Sequence, residues 1–217
     1  MVAMRLVTPG ASASASVAPL DPLRDGLAAR LLPGRVVECS GPSGGPCART
    51  STAVGLLRHV QAAGDTAVWI QRRGGPLFPP DLSAAGIDLD ALVVIHVATT
   101  PARAGLCKAA ELLLRSGAFG LVIVDLEDDA AGGPAISAWL GRILGLARQH
   151  DSRVLLITEK PTHADSLGTL VGLRIESTRR RGPRGEFVVD HQVIKNKSGG
   201  PFDVATDSYR YPDGVGP

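Results

Sequence analysis

Residues 35–57 read RVVECSGPSGGPCARTSTAVGLL, and three parts of this stretch decide the fold: an apolar strand (Val36–Ser40), a glycine-rich loop and the start of a helix. Proteins use that frame to cradle phosphate, because backbone N–H groups of the loop and of the helix start converge on the anion. Such a loop finishes Gly-Lys-Ser/Thr, the lysine meeting phosphate and the hydroxyl holding magnesium. Counted from Gly41, the finishing positions here are Pro46, Cys47 and Ala48. Proline lacks a backbone donor, cysteine carries no positive charge, and alanine has no hydroxyl. The frame is kept and the three chemical groups are not.

Outward from the loop, strands and helices alternate. Thr50–Ala63 is predicted as a helix with Val54, Leu57 and Val60 on one face, followed by a strand at Thr66–Gln71 and a short helix or turn at Pro79–Gly86. A strand at Leu92–Val97 leads to a helix over Pro101–Ser116, where Leu106, Ala109, Ala110, Leu113 and Leu114 repeat at helical spacing. GLVIVDL (120–126) is a fully apolar strand. GPAISAWLGRILGLARQH (133–150) opens with proline, which suits a first helical turn, and carries the stripe Ile136, Leu140, Ile143 and Ala147. SRVLLIT (152–158) is a further buried strand. Continuous apolar strands joined by helices mean a parallel sheet covered on both faces. After residue 160 the pattern changes: LVGLRIEST (170–178), GEFVVDHQVIKN (185–196) and PFDVATDSY (201–209) are strand-like with no helix between them. RRRGPRG (179–185) reads as a turn because glycine and proline punctuate it. The expected fold class is therefore α/β, a mostly parallel β-sheet flanked by helices with a C-terminal antiparallel extension. TPGASASASVAP (8–19) holds too little apolar surface to order itself, so residues 1–19 are expected to be a flexible N-terminal segment before a single domain over 20–217. There are no internal repeats.

Composition narrows the function classes. With 217 residues and 44% hydrophobic content the chain suits one α/β domain, and 4% aromatics leave Val, Leu, Ile and Ala to fill its core. A net charge of +2 is too balanced to imply nucleic acid or membrane binding by itself. Cys39, Cys47 and Cys107 are widely spaced and odd in number, which argues against a disulfide framework or zinc site and fits a reducing cytoplasm. His59, His96, His150, His163 and His191 show no metal-ligand spacing. The N-terminus lacks a charged-then-apolar signal pattern, and no apolar run reaches the roughly 18 residues of a membrane span, so a cytoplasmic protein with no membrane partner is expected.

Several phrases, in family order over residues 32–210, resemble the RecA recombinase core. They are LPGRVVECSGP (32–42), AAELLLRSGAFGLVIVD (109–125), RVLLIT (153–158), LVGLRIESTRR (170–180) and VIKNKSGGPF (193–202). The resemblance implies a RecA-like P-loop core. In RecA-like ATPases a strand-ending aspartate holds the magnesium shell, and Asp125 matches it; the family's paired lysines, which reach a neighbouring subunit's nucleotide, match Lys195 and Lys197. Other positions depart. The family's catalytic glutamate aligns with Arg73, and its γ-phosphate-sensing glutamine with Glu159. A stretched loop in which Arg49-Thr50 replaces Lys-Thr is the rescue reading. It is disfavoured because arginine is planar rather than a compact ammonium, and the extra residues displace the helix N-terminus. The segments matching both family DNA-binding loops are short, and on this resemblance the family's polymerising N-terminal helix and separate C-terminal domain are expected to be missing.

The truncated, degenerate core resembles the ImuA-type mutasome accessories. That family implies damage-induced, mutagenic translesion synthesis with an ImuB-type polymerase relative, an alternative DnaE-class polymerase and RecA as partners. It also implies nucleoid association in the complex. Two alternatives stay open: a SulA-like division inhibitor binding FtsZ, and a true DNA-dependent ATPase using Arg49. On the favoured reading the protein is not an enzyme, has no ATP or other cofactor, and keeps a degenerate nucleotide site at Gly41, Pro46, Cys47, Ala48, Arg49, Arg73, Asp125 and Glu159. Arg179, Arg180, Arg181, Arg184, Lys195 and Lys197 are candidate contacts for a partner or for weak, non-specific DNA binding. Against these stand plainer roles: hydrogen-bonded support of the loops for Asp125, a solvated turn for the arginines, and a solvated edge for the lysines. Phe78, after Arg72 and Arg73, is a further candidate partner anchor, and Cys47 at the helix start has no neighbouring base in sequence.

Overall fold

A computed structural model describes Leu27 and residues 31–42, 44–98, 102–126, 132–182, 186–197 and 205–209. The strands are β1 (Arg35–Gly41), β2 (Ala67–Arg72), β3 (Leu92–Val97), β4 (Leu121–Asp125), β5 (Arg153–Glu159), β6 (Leu173–Arg181), β7 (Phe187–Asn196) and β8 (Ala205–Tyr209). The helices are α1 (Arg49–Ala62), α2 (Pro79–Ala84), α3 (Ala102–Ser116) and α4 (Pro134–Gln149). The strands form one sheet of order β3-β2-β4-β5-β1-β6-β7-β8. From β3 to β6 every pairing is parallel, and β7 and β8 add on antiparallel. This is the α/β architecture expected from the apolar strands, antiparallel extension included.

Period-two alternation sorts each strand onto two faces. On one face Val36, Val68, Ile70, Val122, Val124, Val154 and Leu156 pack against α3 and α4 through Leu106, Ala110, Leu140 and Ile143. On the other, Val37, Cys39, Trp69, Leu121, Ile123, Leu155 and Ile157 pack against α1 and α2 through Ala53, Leu57, Val60 and Leu82. Both faces of the central strands are covered, which explains why they read as unbroken apolar runs.

Both boundaries of β6 differ from the sequence reading. Strand β6 begins at Leu173 rather than 170, and it runs on through Arg179–Arg181, residues that the sequence pattern places in a turn. These arginines pair antiparallel with Val189, Val188 and Phe187. This antiparallel end of the sheet tolerates a charged run because the three arginine side chains are exposed to water, so the strand continues to Arg181 where the pattern suggests a turn. Of the remaining expectations, the segment 1–19, Arg184, and residues 201–204 of the last strand lie outside the described residues.

Candidate functional site

In a parallel sheet, ligands bind at the carboxyl ends of the strands, where the order reverses about the first strand. The loop that leaves β1 sits there, and its residues close on themselves. A Cβ placed on Gly41 would stand 2.5 Å from Cys47 Sγ and 3.2 Å from Arg49 Cγ, so thiol and arginine stem fill the hollow over the strand end. Cys47 forms an antiparallel bridge with Thr178 of β6. Around it, Ala48 N–H donates to Ser177 O at 3.0 Å and Arg179 N–H donates to Pro46 O at 2.6 Å. Cys47 N–H turns to Gly45 O at 2.7 Å. Backbone donors that a phosphate cradle would hold free are thus used within the chain.

Arg49 is the first residue of α1 and Glu159 the last of β5, in register with Gly41. Arg49 Nη2 donates to Glu159 Oε2 at 2.8 Å, an ion pair largely withdrawn from water. Burial pulls the Arg49 pKa down, but the Glu159 bond and the nearby Cys47 more than offset this, leaving it above its ordinary value. The charge in the stretched-loop reading is therefore already matched by a carboxylate. The helix start has no side-chain cap at Ala48, and Thr52 Oγ1 donates back to Ala48 O at 3.0 Å. Asp125 is buried at the end of β4, while Arg73 stands exposed one residue past β2. The structure brings together Gly41, Pro46, Cys47, Ala48, Arg49 and Glu159; Arg73 lies outside that cluster.

Below the loop, Cys39 is fully buried, its Sγ 3.6 Å from Ser177 Oγ, which lies 3.0 Å from His191 Nδ1. Burial pushes the Cys39 thiol up to about 12, outweighing the lowering by the Ser177 bond. It is an inert thiol at neutral pH.

Strand β8 pairs with β7 only over Phe187–His191, so Lys195 and Lys197 lie beyond that ladder, Lys195 half-buried and Lys197 exposed, and both ammonium groups are bonded. Lys195 Nζ donates to Ser166 Oγ at 2.7 Å and Gly168 O at 3.0 Å, and Lys197 Nζ donates to Thr169 O. Both ammonium groups tie down the segment between β5 and β6. Burial, with Lys197 beside it, lowers the Lys195 pKa. Of the arginines, Arg180 Nε pairs with Asp190 Oδ2 at 2.8 Å and Arg179 stacks over the Phe187 ring at 5.6 Å. Phe78 stands 58% exposed before α2, as an anchor would.

The sequence reading missed a buried polar cluster under the β5–β6 segment. Glu38 is fully buried; its Oε1 accepts from Lys160 Nζ at 2.7 Å and Thr158 Oγ1 at 2.9 Å, and its Oε2 from Leu167 N–H at 2.8 Å. Arg174, also fully buried, donates to Ser40 Oγ at 2.9 Å, Pro161 O at 3.0 Å and Ala164 O. Glu176 Oε1 accepts from Thr162 Oγ1 at 2.9 Å. The signal was present: Glu38/Ser40 and Arg174/Glu176 are polar pairs two apart inside apolar strands, hence on one face.

Among the described residues no helix is long and apolar enough to cross a membrane, and no three His, Cys, Asp or Glu side chains gather to hold a metal ion. Compared with known proteins, the chain matches no family model and no curated protein.

Proposed function

We propose that this chain is a RecA-like protein of the ImuA type, whose P-loop has become a structural strap, and that it works as a non-hydrolysing accessory in damage-induced mutagenic translesion synthesis. It acts through contacts with an ImuB-type polymerase relative, an alternative DnaE-class polymerase and RecA, in the cytoplasm or on the nucleoid. The observation that carries this reading is the closed loop: Pro46–Ala48 bonded into β6, with the Arg49–Glu159 pair across Gly41. To admit a phosphate, the chain would have to break those bonds and leave Glu159, an anion, beside the incoming anion. Coulomb repulsion at that range costs about 4 kcal/mol at an effective dielectric of about 20.

Two measurements test it. Titration with a fluorescent ATP analogue and magnesium should give no saturable binding; micromolar binding abolished by Arg49→Ala restores the ATPase reading. Copurification should retain an ImuB-type protein or RecA and not FtsZ; FtsZ alone would move the chain to the division-inhibitor class.

A further inference from the structure

The two outer strands of the sheet differ in how they meet water. β8 is ATDSY, a polar strand with a carboxylate at Asp207, the kind of edge that resists further pairing. β3, at the other end, is LVVIHV: it has no charge and no proline, and its register with β2 is unbroken, so no bulge twists it away. Its odd residues face β2, because Ala67 N–H donates to Ala91 O at 3.1 Å and Arg73 N–H to Val97 O at 3.0 Å. In a parallel ladder alternate residues serve one neighbour. Leu92, Val94 and His96 therefore turn their backbone groups to the open edge, where no strand pairs with them among the described residues. Leu92 N–H alone is drawn back, donating to Leu89 O at 3.4 Å. Leu92, Val93 and Val94 are only half-buried, whereas Val68, Trp69 and Ile70 of the neighbouring strand are fully buried.

The two ends of this edge carry opposite charge. Asp88 and Asp90 lead into β3, and Arg73 stands level with its far end through the bond to Val97; all three are exposed. Asp90 N–H donates to Asp88 Oδ1 at 2.9 Å, but neither Asp90 nor Arg73 has an ion-pair partner among the described residues. A partner strand of uniform charge would match one end and oppose the other. A second β3 laid antiparallel matches both, because it brings the acidic start of each strand to the basic end of the other. It also sets apolar side chains against apolar side chains, with no like charges directly opposite.

We propose that β3 pairs antiparallel with β3 of a second copy of this chain, across a two-fold axis at Val94. Val94 of each copy donates to and accepts from Val94 of the other, Leu92 lies opposite His96, and Asp90 meets the Arg73 end at both rims. Such an interface uses the same patch on both copies and closes on itself, so assembly stops at the dimer. A single strand pair covers less than a standard interface of roughly 1,600 Å², so the dimer is weak, with Kd about 10–100 μM. The inference does not depend on how the nucleotide loop behaves, since that loop leaves β1 in the interior of the sheet and β3 is its edge.

Sedimentation equilibrium of the full chain, from about 2 to about 200 μM, reads the association, and the average mass should rise toward twice that of the monomer. Arg73→Glu and Asp90→Lys should each weaken it about tenfold, because like charges then meet at both rims. An equimolar mixture of these two variants should recover the affinity to within about threefold, since the hybrid dimer again sets opposite charges together at each rim. Val94→Lys should abolish association by placing an ammonium group against its own copy on the axis. Arg148→Glu, beside Gly34 at the start of β1, should change the affinity less than about twofold. A chain that stays monomeric at about 200 μM overturns the proposal and leaves the edge to a strand of another protein. So does a mixture no tighter than either variant alone, an unaffected Val94→Lys, or growth past the dimer. Far-ultraviolet circular dichroism checks that each variant keeps the fold, and the mixture of Arg73→Glu with Asp90→Lys, which alters only exposed side chains, decides the question if Val94→Lys does not fold.

Discussion

Removing the ammonium from the buried Glu38–Lys160 pair, by Lys160→Met, should be among the most damaging single changes outside the apolar core. The lysine and glutamate are 7% and 0% exposed with N···O 2.7 Å. At that distance their attraction is about 6 kcal/mol for an effective dielectric of about 20. Most of it offsets the cost of taking both charges from water, so the pair adds little net stability. Breaking it is different: the carboxylate keeps its desolvation and loses its counter-charge, a cost of about 3–5 kcal/mol. For a chain of this size that lowers Tm by roughly 6–20 °C. Urea unfolding followed by tryptophan fluorescence reads it directly, because Trp69 and Trp139 are both buried. Pairing Lys160→Met with Glu38→Leu should recover at least half of the loss, the remainder being the unpaired Thr158 hydroxyl and Leu167 N–H. A single-variant cost below about 1 kcal/mol, or a double variant no better than the single, would refute the reasoning. The change should also speed amide exchange in residues 161–171 first, since Lys160 Nζ also holds Asp165 O at 3.1 Å.

Three further outcomes are expected. Cys39 should resist alkylation in the native state while the less buried Cys47 and Cys107 react, because a thiol raised from 9.0 to about 12 carries a thiolate fraction about a thousandfold smaller; native labelling of Cys39 would show that β1 opens. Any affinity for duplex DNA should fall with salt by a log–log slope of roughly 0.9 per phosphate neutralised, and alanine at Arg179, Arg180 and Arg181 should flatten it. An unchanged slope would leave the arginines to their contacts with Asp190 and Phe187. The Arg142 bond holds the Glu111 pKa below its ordinary 4.5, so its contribution is full above that pH and lost as pH falls through the lower folded value. Glu111→Gln should therefore flatten the acid limb of the stability–pH curve, and an unaltered limb would mean the contact with Arg142 and Arg115 carries no stability.

Local pattern determined most of the architecture. The apolar runs at 120–126 and 152–158 admit only buried parallel strands, and the stripes in α3 and α4 admit only one buried face each, because both follow from the period of the backbone. The identity of Pro46, Cys47 and Ala48 likewise announced, before any coordinates, a loop without the groups that hold phosphate and magnesium. What replaces those groups was settled in three dimensions. Arg49 finds Glu159, Cys47 finds Thr178, and Lys195 finds Ser166 only when β1, β5, β6 and β7 lie side by side. The same is true of Glu38 and Lys160, which look like a misplaced charge in a strand and an ordinary loop lysine until the β5–β6 segment folds over β1. Periodicity reports which face a residue takes, since that depends on neighbours in the chain. Which charge meets which depends on strand order, and strand order is a property of the whole sheet.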